Sequence, residues 1–285
     1  MVLNCIGPSC EFSQGIANAA VDANVPLVDV AGEAPLAYAI DNLKPEIPLI
    51  IGAGMLPGLS GLALRYLVDI SPAAKWGVTA FSGGLQSVSP AASRDLIASV
   101  AEQEGYGLGG CALRNGEIAQ APRSESVPPQ VYPAGSTAYP FLTEEARALA
   151  GELHIQNLTW SNVLVGDAMK QVMTHLQGAD KDEAAVKLQL ASKASLVAAQ
   201  EFYAIVLASS DDALVITAID GYGLTAQVAV LALRAILDGI VDAGAHFACD
   251  VLNPARVLRA VDDAGFAAVS QVRPDALYEA EEGAL

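Results

Sequence analysis

From Ile47 to Leu64 the chain carries no charged residue, over a length close to that of a membrane-spanning helix. The same run holds Pro48, Pro57 and the glycines Gly52, Gly54, Gly58 and Gly61. Those residues break the internal backbone pairing that a lipid-facing helix must keep. The run therefore reads as a buried strand at Leu49-Ile50-Ile51, a Gly-rich turn and a helix continuing to about Val68, in a protein expected to be soluble. Glycine at this density implies a close backbone approach, either to another element or to a ligand.

The rest of the composition supports a sizeable core. Of 285 residues, 53% are hydrophobic and 16% charged, enough for two domains or one large α/β unit. Fifteen Lys and Arg against thirty-two Asp and Glu leave a net charge of −17, which repels a phosphate backbone and an anionic membrane surface. Nucleic acid and membrane are thus not expected partners. Four cysteines without a C-x-x-C pair, and three histidines, give no metal-ligand spacing. No export signal is expected at the N-terminus, and a reduced cytoplasmic protein follows.

Along the chain, Val2 to Ile6 is a short apolar strand closed by Gly7-Pro8, followed by a helix from Ser13 to Ala23 with Ser13 as cap and Asn24 as its left-handed stop. Pro26 to Val30 is a second strand. This strand, helix, strand order is half of a nucleotide-binding sheet. From Trp76 the texture turns antiparallel: Trp76 to Ser82 alternates until Gly83-Gly84, and Asn115-Gly116 inside Ala112 to Ile118 marks a hairpin. Residues 120 to 140 read as a long connection, and Thr143 opens a helix to about Leu153. Ala184 to Gln200 reads as helical, with a strand left open. Phe202 to Ala208 and Ala213 to Ile219 form a second hairpin, before a helix from Leu224 to about Asp238. Asn253-Pro254 starts the last helix, Gly265 stops it, and an acidic tail runs from Asp275.

Val2-Leu3-Asn4-Cys5-Ile6-Gly7-Pro8, Val28-Asp29-Val30-Ala31-Gly32-Glu33, the turn through Pro57-Gly58, Asp220-Gly221-Tyr222-Gly223-Leu224-Thr225-Ala226, and Val251-Leu252-Asn253-Pro254 with Ala264-Gly265 follow one another in an order that resembles the saccharopine dehydrogenase-like oxidoreductases. The resemblance implies an α/β fold: a partial Rossmann-like parallel sheet in residues 1–50, completed by helices of 220–285, plus a mixed α+β substrate and dimerisation domain with antiparallel hairpins in 51–219. It also implies NAD or NADP as cofactor, a small-molecule substrate, a homodimer, and hydride transfer to or from a C=N or C=O carbon. The G-x-G-x-x-G turn that such a fold places at its first helix is absent. The first residues resemble the family's fourth strand, so about three βα units, roughly 75 residues, are expected to be missing. The strands that remain would then leave an exposed apolar face. The alternative is a non-catalytic dimerising or binding protein, or a truncated remnant, that has lost dinucleotide binding.

Through the same resemblance, Asn4, Gly7, Pro8, Asp29, Gly32 and Glu33 are the cofactor-side candidates. Gly7 and Pro8 would fix a loop against the nicotinamide or form an ordinary strand-ending turn. Asp29 and Glu33 would bond a ribose or simply hold a turn. Gly54, Met55, Pro57, Gly58 and Ser60 are the substrate-side candidates, where amide N–H groups at a helix start, with the Ser60 hydroxyl, suit a carboxylate. Domain packing explains the same glycines. Arg114 is either an anion clamp or a hairpin surface partner of Glu117. Tyr222 is the candidate proton donor or a core or interdomain aromatic, and Thr225, a further substrate-side candidate, would cap the long helix while facing the cofactor. No metal site is expected.

Overall fold

The computed structural model describes residues 1–32, 34–102, 106–175 and 180–279. Two sheets organise them. The smaller is wholly parallel and places Val2–Asn4, Leu27–Asp29, Pro48–Ile51 and Gly244–Phe247 side by side in that order. Helix Ser9–Asp22 links its first two strands. In the outer strand Val2 and Leu3 are 37% and 42% exposed, and Ile6 just beyond it is 59% exposed.

The larger sheet is mixed. Its spine runs from Ala267–Val272 through Ala213–Ala218, Phe202–Ala208 and Val78–Leu85 to Leu158–Leu164, with Cys111–Arg114, Glu117–Gln120, Thr137–Thr143 and Gly107–Gly109 at the far end. Phe202–Ala208 and Ala213–Ala218 form the expected antiparallel hairpin. The Asn115-Gly116 hairpin is present as well, with both turn residues at positive φ (53° and 78°). Val78–Leu85 and Leu158–Leu164 run parallel, against the antiparallel expectation. Strand Val78–Leu85 also does not stop at Gly83-Gly84. There the glycines let neighbouring backbones close in, since a Cβ at Gly83 would strike the Val163 carbonyl and one at Gly84 the Phe202 carbonyl.

The uncharged run behaves as its composition requires. Pro48–Ile51 is a strand, and helix Leu59–Ile70 has Leu59, Leu62, Ala63, Leu64 and Leu67 fully buried. Its apolar residues face the interior, while Arg65 and Asp69 mark the side left toward solvent. It packs against the large sheet and helices Glu144–Glu152, Gly221–Leu237 and Pro254–Asp263. The sheet's other face is closed by Tyr132, whose hydroxyl donates to the Ala204 carbonyl at 2.9 Å, and by Leu277.

Several local expectations hold. Asn24 is left-handed at φ 53°, Thr143 accepts from the Ala146 N–H at 3.1 Å, and Asn253 accepts from the Arg256 N–H at 2.9 Å. Others move. The first helix begins at Ser9 rather than Ser13, because Asp95 from helix Pro90–Glu102 supplies its cap and Ser13 lies buried inside it. Residues 220–285 supply more than helices, since they give Gly244–Phe247 to the small sheet and Ala267–Val272 to the large one. Residues 280–285 of the acidic tail lie outside the described residues.

Candidate functional site

A cavity of about 420 Å³ opens where the two sheets meet. Its walls are the segment after strand Leu27–Asp29 (Val30 to Gly32), the turn from Met55 to Ser60, the end of strand Val78–Leu85, and helices Pro90–Glu102 and Asp167–Thr174. Residues just past the carboxyl ends of parallel strands are where open α/β sheets bind ligands.

The Gly-rich turn is held from two sides. The Met55 N–H donates to Thr225 Oγ1 at 3.2 Å, tying the turn to helix Gly221–Leu237. The Gly58 N–H donates to Glu145 Oε1 at 2.8 Å, and the Ser60 hydroxyl donates to Glu145 Oε2. An anion does sit on this helix start, as the amide donors and the hydroxyl predict, but it is the chain's own Glu145. The close backbone approach is likewise internal: a Cβ at Gly54 would meet the Val30 carbonyl, and one at Gly58 the carbonyls of Gly52 and Gly54. Burial pushes the Glu145 carboxyl above its ordinary range against the pull of Ser60 and Gly58.

A second acid does the same for helix Ser9–Asp22. Asp95 Oδ1 accepts from the Ser9 N–H at 2.7 Å and the Ser9 hydroxyl at 2.9 Å. Its carboxyl is raised by burial, opposed by these bonds. Ser82 forms a polar spot in the wall, accepting from Trp160 Nε1 at 2.9 Å and donating to Asn162 Oδ1 at 3.3 Å. Buried Tyr203 also bonds Ser82, with its phenol pushed well up by desolvation.

Set beside solved structures, the fold is similar to that of apo histidine-tagged saccharopine dehydrogenase (L-Glu forming) from Saccharomyces cerevisiae, at a TM-score of 0.59 and 13% identity over 95% of this chain and 84% of that one. The fold is saccharopine dehydrogenase-like. An oxidoreductase from Pseudomonas syringae also matches, at a TM-score of 0.35 and 10% identity over 91% of this chain and 75% of that one. No protein-family model matches the chain, and no curated protein does.

Of the residues singled out from sequence, Gly32, Met55, Pro57, Ser60, Tyr222 and Thr225 line the cavity. Asn4 and Asp29 do not. They bond each other, Asn4 Nδ2 donating to Asp29 Oδ2 at 2.7 Å, and each holds its own turn by accepting the Ile6 and Ala31 N–H respectively. Gly7 is packed against Ala91, and Pro8 precedes the helix that Asp95 caps. Gly54 and Gly58 shape the turn from behind the wall. Tyr222 is 44% exposed, and its hydroxyl donates to the Ser87 carbonyl and accepts the Ser89 N–H, both at 3.0 Å. Its proton is directed at this loop. Arg114 lies elsewhere, in a separate cleft with Trp76 and Tyr278, where Nη1 donates to Thr159 Oγ1 at 2.8 Å. Glu33 lies outside the described residues.

Asp95, Glu145, Met169 and Met173 are among the cavity residues that sequence reasoning passed over. Glu145 alone carried a local signal, as an acid in the first turn after the Thr143 cap.

The donors bear directly on a dinucleotide. A pyrophosphate needs a helix start with open N–H groups. At this cavity the starts at Ser9, Leu59 and Gly221 are filled by Asp95, Glu145 and Asp220. Those three starts are therefore closed to the pyrophosphate of NAD or NADP.

Proposed function

We propose that the chain works as a saccharopine dehydrogenase-like oxidoreductase, holding in this cavity a small metabolite whose C=N or C=O carbon exchanges a hydride with NAD or NADP. What carries the reading is the position of the cavity at the carboxyl ends of the parallel strands, in a fold like that of a dehydrogenase. The cofactor would supply the hydride chemistry, and these residues would position the substrate and exclude water. A homodimer, as the resemblance implies, belongs to the same proposal.

One observation favours a second reading, a binding protein that keeps the substrate cavity without dinucleotide chemistry. It is the filling of the helix starts at Ser9, Leu59 and Gly221 by acids of the chain. Titration of the purified chain with NADPH and NADH, following nicotinamide fluorescence together with melting temperature, separates the two. Saturable binding with a rise in melting temperature is expected for the oxidoreductase. No binding of either nucleotide by a folded chain would refute it and leave the second reading.

A further inference from the structure

The cavity has an unusual charge inventory. Its lining contains Asp95 and Glu145 and no Lys, Arg or His. Nor is any residue outside the described set basic: position 33 and segments 103–105, 176–179 and 280–285 contain none of the three. A carboxylate or phosphate entering this space would lose its hydration without meeting a cation, at a steep cost.

The backbone donors at the helix starts of Ser9, Leu59 and Gly221 beside the cavity are already taken. The N–H groups of Ser9 and Gly58 go to the two acids, that of Met55 to Thr225, that of Gly221 to Gln86 Oε1 at 3.2 Å and that of Tyr222 to Asp220. The acids themselves are held by Ser9, Cys10, Gly58, Ser60 and Cys249, all neutral donors, so no cation of the chain offsets them. Burial raising both carboxyls is consistent with that. Beside neutral polar groups such as Ser82 and Asn162, the lining carries the apolar, adaptable side chains of Met55, Leu56, Phe141, Met169 and Met173. The volume lies toward the small end of ligand cavities.

From this we infer that the cavity binds a largely apolar primary amine, or the uncharged ketone of the same skeleton, and rejects carboxylates and phosphates. The inference rests on the reading above only in taking this cavity as the substrate site.

Three six-carbon probes test it on the full chain without any nucleotide: hexylamine, hexan-2-one and hexanoate, by calorimetry and melting temperature. Hexylamine is expected to saturate about tenfold or more tighter than hexanoate, with hexan-2-one between them. Hexanoate binding as tightly as hexylamine would overturn the inference, and so would a folded chain that none of the three saturates. Leu56→Lys, which sets a cation in the wall, is expected to reverse the order, while Arg114→Met in the other cleft leaves it unchanged. A folded Leu56→Lys protein that kept the original order would count against the charge argument. If that variant fails to fold, the probe ranking of the unaltered chain decides alone. Because nucleotide is absent, hexylamine binding without NADPH or NADH binding would remove the hydride reading and keep this one.

Discussion

Glu145 joins the Gly-rich turn to helix Glu144–Glu152, and its removal is the sharpest test of that join. In Glu145→Ala the Gly58 N–H and the Ser60 hydroxyl, both at buried positions, lose their acceptor. An unpaired buried donor costs about 1–3 kcal/mol. Two of them, offset by no longer burying a carboxylate, give a net loss of about 3 kcal/mol. At about 2–3 °C per kcal/mol for a chain of this size, the melting temperature should fall by about 6–9 °C. Glu145→Gln keeps one carbonyl acceptor and should lose about half as much. A double-mutant cycle with Ser60→Ala should return a coupling of about 1–2 kcal/mol. The pH dependence has a definite sign. The folded carboxyl lies above its ordinary value of 4.5, so the native state holds the proton more tightly than the unfolded chain. That contribution is fully present below pH 4.5 and is lost as pH rises through the folded value. Relative to Glu145→Gln, the unaltered protein should therefore gain stability as pH falls from neutral toward 4.5. Urea unfolding at several pH values reads both effects, and a Glu145→Ala protein within about 0.5 kcal/mol of the original would refute the account of the turn.

Three further substitutions probe the surroundings. Asn4→Asp would set a second carboxylate at 2.7 Å from Asp29 in a buried pair, costing several kcal/mol at neutral pH, roughly 3 or more, and the loss should shrink as acid protonates one of the two, as read by urea unfolding between pH 4 and 7. Gly61→Ala would bring a Cβ to 2.7 Å from Glu145 Oε1 and 2.9 Å from both Cys249 Cβ and Leu149 Cδ1, an overpacking worth about 1–3 kcal/mol in the same assay. Asp95→Ala removes the cap on Ser9 and should cost about 1 kcal/mol, with Asp95→Asn milder because a carbonyl acceptor remains; equal losses in the two would argue against a capping role.

The elements legible in the sequence are those whose signals are local. The Asn115-Gly116 turn, the Thr143 and Asn253 caps and the Ser209 to Asp212 turn between two apolar runs each need only a few adjacent residues, and each appears where expected. The elements that sequence reasoning passed over have their pattern overwritten. Thr137–Thr143 alternates in burial at every residue, but Pro140 within it reads as loop; it sits where the strand's pairing passes from Leu158–Leu164 to Gly107–Gly109. Leu158–Leu164 is buried at Thr159 and Ser161 as well as at its apolar residues, so no alternation is visible. Helix Pro90–Glu102 follows a run of Ser and Pro that reads as a connection, and it is fixed by helix Lys181–Ser195 packing Ala184 and Ala185 against Ile97.

The site divides along the same line, and for a reason that reaches the function. A helix start with free N–H groups and a nearby hydroxyl has one chemistry, the reception of an anion, and the sequence around Gly58 and Ser60 displays it. What the local residues cannot display is where the anion comes from. Here it arrives from Glu145, 85 positions beyond Ser60, and at Ser9 from Asp95, 86 positions on. An internal acid and a ligand phosphate are alternatives at the same donors, since each N–H carries one hydrogen. Filling them from within therefore fixes the packing of the two sheets and in the same step changes what the cavity can accept. The anion receptors become acidic wall, and with no basic side chain beside them among the described residues the cavity favours amines and neutral carbonyl compounds over acids. Stability and ligand choice are thus set by the same two carboxylates.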